Sequence, residues 1–227
     1  LREIAAITFT EKAAYDLKRK LREGIMASER ADELRWQIDR ASIGTIHSFC
    51  GELLREHALR LEIDPTFRVL DQRESWAAMD EIIKEVVKQA LAEGHEGAGR
   101  LLQTFRLTGF TFSDGVVDYV RKAMADLRWH EDRYAAWLGP DGTLDAEALE
   151  RLAGEWDADK DGPALVHAEA LVSLAREALK AWDEYLVDEN ARDFDALILD
   201  ARKLLTGENA VAALEGIRRR YRILIID

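Results

Sequence analysis

Two short apolar runs that fail to alternate constrain this chain more than any other feature. Ile4 to Phe9 reads IAAITF, and Ile223 to Ile226 reads ILII and is followed by Asp227. A strand with one wet face alternates polar and apolar residues. A predominantly apolar run that does not alternate suits cover on both faces, which is the situation of a parallel sheet layered with helices. Thr10 follows the first run with a hydroxyl suited to cap a helix. Ala14, Leu17, Leu21 and Ile25 then recur at helical spacing, with Gly24 as the expected stop. After a polar stretch from Ser28 to Arg40 the pattern repeats: Ala41 to Ile46 (ASIGTI) reads as a strand. A helix then carries Phe49, Leu53, Leu54 and Leu61 on one face and ends at Pro65. Buried strands that alternate with helices define an α/β fold with a parallel sheet.

Between the two ends the pattern changes. Thr66 to Leu70 is a third extended segment, and Asp71 with Glu74 forms a capping box. The helix it opens carries Trp76, Met79, Ile82, Ile83, Val86, Val87 and Ala90. From there to about residue 190 every pattern is helical. One helix opens at Ser113-Asp114 with Val116, Val117, Val120, Met124 and Leu127. A turn at Gly139 to Gly142 follows, then a helix from Leu144 to Trp156, then one that opens at Pro163 and runs towards Tyr185. Two more helices are predicted, Phe194 to Leu205 and Asn209 through Ile217 to the basic cluster Arg218–Arg220. The expected architecture is a partial parallel-sheet domain from residues 1–70 and 191–227, interrupted by a large all-α insertion at 71–190 and helical overall.

Charge divides along the same lines. Residues 61–190 hold 14 Lys and Arg against 28 Asp and Glu, whereas residues 1–60 hold 11 against 10 and residues 191–227 hold 7 against 6. The net −12 therefore belongs to the middle. It argues against a polyanionic partner there but not at the balanced ends, which can present local basic patches. No apolar run approaches the ~18 residues of a membrane span. No basic leader with a cleavage site precedes the first run, so the expected compartment is the cytoplasm. The single Cys50 excludes an internal disulfide and any Cys-rich zinc site.

The chemistry is expected where strands hand over to helices. A buried parallel strand that ends in Asp227 delivers a carboxylate to the carboxyl edge of the sheet, where open α/β folds bind ligands. In P-loop ATPases such an Asp holds Mg²⁺, usually through water. Yet the loop G-x-x-x-x-G-K-[ST] is absent, and no glycine in the chain is followed by lysine. A chain that starts inside a strand and stops on its terminal Asp is read here as a piece of something larger. The first turn, Thr8 to Ala14, offers hydroxyls, backbone N–H groups and a helix N-terminus for phosphate; Phe9 there either stands exposed to stack on a base or lies in the core beside an ordinary N-cap. The second turn, Gly44 to Cys50, adds Thr45, His47 and Ser48. A His47–Cys50 nucleophilic pair lacks an orienting third group, so Cys50 is read as structural. The histidines show no metal-ligand spacing.

In order along the chain, these segments are Ile7-Thr8-Phe9-Thr10-Glu11-Lys12-Ala13-Ala14; Gly44-Thr45-Ile46-His47-Ser48-Phe49-Cys50 with Leu53-Leu54-Arg55; Phe67 to Asp71; Asp193 to Leu199; and Ile223 to Asp227. Together they resemble the UvrD/Rep-type superfamily 1 DNA helicases, and the first two look most like the AddA/RecB branch of helicase–nucleases. The resemblance covers the two ends; the middle matches by position and helical character. It implies a partial RecA-like (P-loop NTPase) motor domain with an inserted helical subdomain. It implies contacts to single-stranded DNA from Thr8, Phe9, Thr10, Thr45 and His47, and Asp227 as the first Walker B acid, holding Mg-ATP. Glu11 stands where many relatives carry Asn.

For the parent the resemblance implies ATP- and Mg²⁺-dependent 3′→5′ translocation on single-stranded DNA, in recombination or double-strand-break repair. Its partners would be single-stranded and duplex DNA and a second helicase–nuclease subunit, with no membrane. The Walker A loop and the catalytic Glu are missing from this chain, so the chain alone is expected to bind no cofactor and to hydrolyse nothing. A rival reading stays open, in which the acidic, Trp-rich insertion is a protein-interaction module without ATP chemistry. An unrelated nucleotide-binding α/β enzyme would need a phosphate loop that this chain lacks.

Overall fold

The computed structural model describes residues 3–38, 41–110, 113–130, 158–207 and 210–226. The chain divides into two compact units, Leu1–Asp71 with Asn190–Asp227, and Gln72–Glu189.

The first unit is built on a three-stranded parallel sheet in the order β2-β1-β5. Strand β1 (Ile4–Thr8) is central, β2 (Ser42–Thr45) lies on one side and β5 (Ile223–Ile226) on the other. Helix α1 (Glu11–Met26) follows β1 and packs on β2, burying Ala14 and Ile25. It runs past Gly24, because a single glycine weakens a helix without stopping it once one face is buried. A short helix α2 (Ala31–Leu34) occupies part of the polar stretch. Helix α3 (Ile46–Glu56) starts directly on β2 and stops well before Pro65. A single 3₁₀ turn at Ala58–Arg60 follows, so the apolar Leu59 ends up 93% exposed instead of continuing a helical face.

Two strands of two residues each, β3 (Arg68–Val69) and β4 (Ala191–Arg192), pair in parallel where the chain leaves this unit and where it returns. Asn190 takes a left-handed conformation (φ +44°), which its short amide side chain tolerates. Its amide donates to Thr66 Oγ1 at 3.2 Å. Helices α8 (Phe194–Thr206) and α9 (Ala210–Arg220) complete the unit. Leu53 and Leu54 of α3 pack with Phe67, Leu197, Leu204 and Ala213 into the core beneath them.

One expectation fails here. Ile223, Leu224, Ile225 and Ile226 are each at least half exposed rather than buried on both faces. Strand β5 has β1 as its partner, and no described helix covers its faces, whereas β1 has a strand on each edge and packs with α1 and α3, and is nearly dry. Apolar composition states what a strand needs; it does not provide the cover.

The second unit is helical. Helices α4 (Gln72–Ala92), α5 (Glu96–Thr104) and α6 (Val116–Trp129) pack against the long α7 (Ala158–Asp188). Helix α7 passes through Pro163 instead of beginning there, with its first turns at Ala158. It presents Ala170, Leu174, Ala175, Ala178, Trp182 and Leu186 to the core. The alanines let neighbours approach: a Cβ on Gly97 would sit 2.7 Å from Ala170 Cβ, so α5 comes close only because that residue is glycine. Trp76, expected on the apolar face of α4, is half exposed, with the Arg121 guanidinium 5.7 Å over its ring. The predicted turn at 139–142, the helix from Leu144 to Trp156 and the Asn209 cap lie outside the described residues. Among the described residues no helix is long and apolar enough to cross a membrane.

Candidate nucleic-acid interface

Strands β1 and β2 end side by side, with Thr8 in register with Thr45. Each hands over at once to a helix, so the N-termini of α1 and α3 share the carboxyl edge of the sheet. The two turns are capped alike. Thr10 Oγ1 accepts from the Ala13 N–H at 3.1 Å, and Thr45 Oγ1 accepts from the Ser48 N–H at 3.3 Å. Each cap satisfies an amide that a helix start leaves without a partner. Ser48 adds a bond of its own, donating to the Thr45 carbonyl at 2.8 Å. That hydroxyl occupies the space a side chain on Gly44 would need.

The residues named from the sequence fall into two groups. Thr8 and Thr45 are buried and their hydroxyls are engaged internally: Thr8 Oγ1 donates to the Thr10 carbonyl at 3.1 Å, and Thr45 Oγ1 donates to Glu11 Oε1 at 3.1 Å. Phe9 and Thr10 face solvent, and Phe9 is 80% exposed. A phenylalanine left that bare is a flat apolar surface with no protein partner. His47, in the first turn of α3, is half-buried and packs its ring against Phe194, with centroids 4.6 Å apart and planes tilted by 33°.

Phe194 is the residue that sequence reasoning left without a role. It opens α8, just after the buried Asp193, whose carboxylate caps that helix through the Ala196 N–H at 2.7 Å. The available signal was the run Asp193 to Leu199, one of the five motif segments. That its aromatic ring meets His47 depends on the return of the chain through β4, which local pattern does not encode.

Cys50 is buried in the core with Leu54, Phe67 and Leu197, and burial pushes its thiol above the ordinary range. That is the opposite of an activated nucleophile. Asp227 lies outside the described residues. Within the basic cluster Arg219 pairs with Glu215 and Arg220 with Glu56, and the nearby Arg222 pairs with Glu3. Among the described residues no group of three or more His, Cys, Asp or Glu is arranged to hold a metal ion. The second unit has an open concavity of about 420 Å³ lined by Asp80, Thr108, Phe110, Ser113, Asp114 and Asp118. Its carboxylates are already paired, Asp80 and Asp118 with Arg121 and Asp114 with Lys122.

A parallel sheet interrupted by a helical unit, with its polar turns gathered on the carboxyl edge, has the architecture of a partial helicase motor domain with a helical subdomain. The chain belongs to the UvrD/REP helicase N-terminal domain family, whose model matches residues 1–227. Among curated relatives it is similar to the AddA subunit of the ATP-dependent helicase/nuclease of Moorella thermoacetica, 36% identical over 148 residues, which is 61% of this chain and 10% of that protein. The protein of the same name from Listeria innocua is 32% identical over 111 residues, 45% of this chain and 9% of that protein. That from Bacillus velezensis is 29% identical over 142 residues, 60% and 11%. The match thus spans about a tenth of the length of these relatives.

Proposed function

We propose that this chain is part of the N-terminal motor region of an ATP-dependent DNA helicase of the AddA type, and that its sheet edge contacts single-stranded DNA. Residues 1–70 and 191–227 form part of the RecA-like motor domain, and 71–190 its helical insertion. The observation that carries the reading is the exposed ring of Phe9 on the same sheet edge as the paired rings of His47 and Phe194. Flat faces of this kind stack on bases without regard to sequence, which is what a translocating motor requires. Phe9, Thr10, His47 and Phe194 touch the strand, and the buried Thr8 and Thr45 shape the two turns.

ATP and Mg²⁺ belong to the whole protein. The residues of this chain do not make a nucleotide site by themselves, since no phosphate loop is present in its sequence. Asp227 keeps its assignment to Mg-ATP on the strength of the motif alone. The 227-residue chain is accordingly expected to release no phosphate from ATP, with or without DNA. Movement in the 3′→5′ direction, a role in recombination or break repair and a cytoplasmic location complete the proposal on the motif resemblance alone, and partnership with a second helicase–nuclease subunit is supported by the word subunit in the names of the relatives.

Fluorescence anisotropy with a labelled oligothymidylate tests the strand contact in the full-length protein. Binding that weakens with salt, and weakens further in Phe9→Ala and Phe194→Ala, is the expected result. Affinity unchanged in both variants would overturn the assignment of this edge.

A further inference from the structure

We propose that Glu11 is a positioning residue for strand binding: its carboxylate ties the turn that carries Phe9 to the turn that carries His47. The inference rests on the strand-binding reading above. Thr8 and Thr45 are the last paired residues of the β1–β2 ladder. Past them the two backbones separate into different turns, and the groups proposed to meet DNA stand beyond that point. The Thr45 hydroxyl spans the gap. It accepts from the Ser48 N–H at 3.3 Å, which starts α3, and donates to Glu11 Oε1 at 3.1 Å, on the first residue of α1. Amide, hydroxyl and carboxylate form a relay that links the two helix starts.

Glu11 has simpler uses, and they explain less. Any acid in a first turn complements the helix dipole without reaching to the neighbouring strand. Among the described residues its carboxylate meets the Thr45 hydroxyl rather than a lysine or arginine, so it is not one half of a surface ion pair. By charge alone a carboxylate beside the path of a polyanion weakens binding. Its contribution to binding is therefore geometric, and this separates two substitutions. Glu11→Gln keeps a carbonyl oxygen for Thr45 and removes the charge. Glu11→Ala removes both.

The test compares oligothymidylate affinity of the full-length protein and these two variants at high salt, where charge is screened, alongside melting temperatures. Glu11→Ala is expected to bind about fivefold more weakly, the size of one lost hydrogen-bonded tie, and Glu11→Gln to stay within about twofold of the parent. Melting temperatures should move little, because Glu11 is on the surface and the buried Thr45 hydroxyl keeps a second acceptor in Ser48 Oγ at 3.3 Å. Parental affinity in Glu11→Ala, or an equal loss in both variants, overturns the proposal. If the parent protein binds no strand, the strand-binding reading itself falls. Amide exchange across residues 44–50 then decides the tie separately: faster exchange in Glu11→Ala alone supports it, and unchanged exchange overturns it.

Discussion

The helical unit closes its core from its own residues, whereas the sheet unit leaves an apolar strand uncovered. In the helical unit Ile83, Leu101, Val116, Val120, Leu174 and Trp182 are all fully buried. In the sheet unit β1 is nearly dry while its hydrogen-bonded neighbour β5 keeps four large apolar side chains half or more in water. The difference follows from geometry. A helix needs cover along one stripe, and a few helices around a long central one provide it for each other. A strand in a parallel sheet needs two faces covered and two edges paired, so the sheet unit requires more partners per residue.

The largest expected effect is in the closed unit. Trp182→Ala should destabilise it by about 3–5 kcal/mol, read from urea denaturation followed by far-UV circular dichroism. Trp182 is 0% exposed and stacks on Tyr185 with ring centroids 5.2 Å apart, so the cavity left behind has little room to collapse. A cost under about 1 kcal/mol would mean the core is not close-packed and would remove the contrast between the units.

The closed unit should also respond to acid. The Asp118 carboxylate accepts from the Gly115 N–H at 2.9 Å, then from Arg121 at 2.7 Å and from the Gly109 N–H at 3.1 Å. These partners hold its pKa below the usual carboxylate value, the Gly115 amide most of all. A depressed native pKa contributes stability that is full above the unfolded value near 4 and is lost as pH falls through the native value. Asp118→Asn should therefore lower stability at pH 7 and flatten the acid limb of the stability curve. An unaltered acid limb would show that the loop ahead of α6 is held by other means.

The same contrast marks what the sequence made legible. Elements whose cues are local were readable: Thr10 as a cap, the apolar spacing of α6, Gly207 closing α8. The order of motifs was enough to recognise the family without any single decisive one. What escaped depends on residues far apart in the chain. The stop of α3 at Glu56 and the bare faces of β5 are set by packing, to which local pattern is blind. At the candidate site the turns were legible, but the engagement of Thr45 by Glu11 and the meeting of His47 with Phe194 appear only when strand register and the return of the chain are known.

A smaller effect is expected on binding, with stability untouched. Phe9→Ala should lower oligothymidylate affinity about tenfold, within the range of one lost base–aromatic stack, and leave the melting temperature unchanged because the ring has little protein to lose. Phe194→Ala should lower both affinity and stability, since its ring also supports His47. An equal stability loss in the two variants would contradict the exposure of Phe9.

The smallest effect belongs to the uncovered strand. Ile225 pairs with Ala6 in register but is 50% exposed, so Ile225→Ala removes side-chain surface that water already reaches. In the 227-residue chain the expected cost is below about 1 kcal/mol by the area removed. Ile7→Ala, one strand away and 5% exposed, should cost about 2–4 kcal/mol in the same assay. Repeating the pair in the full-length protein sharpens the contrast. If the cost at Ile225 rises to match that at Ile7, β5 is covered there by chain beyond these residues, and the difference between the units is one of how much sheet is present. If it stays small, β5 is a permanently wet edge, and the four apolar residues need another reason to be there.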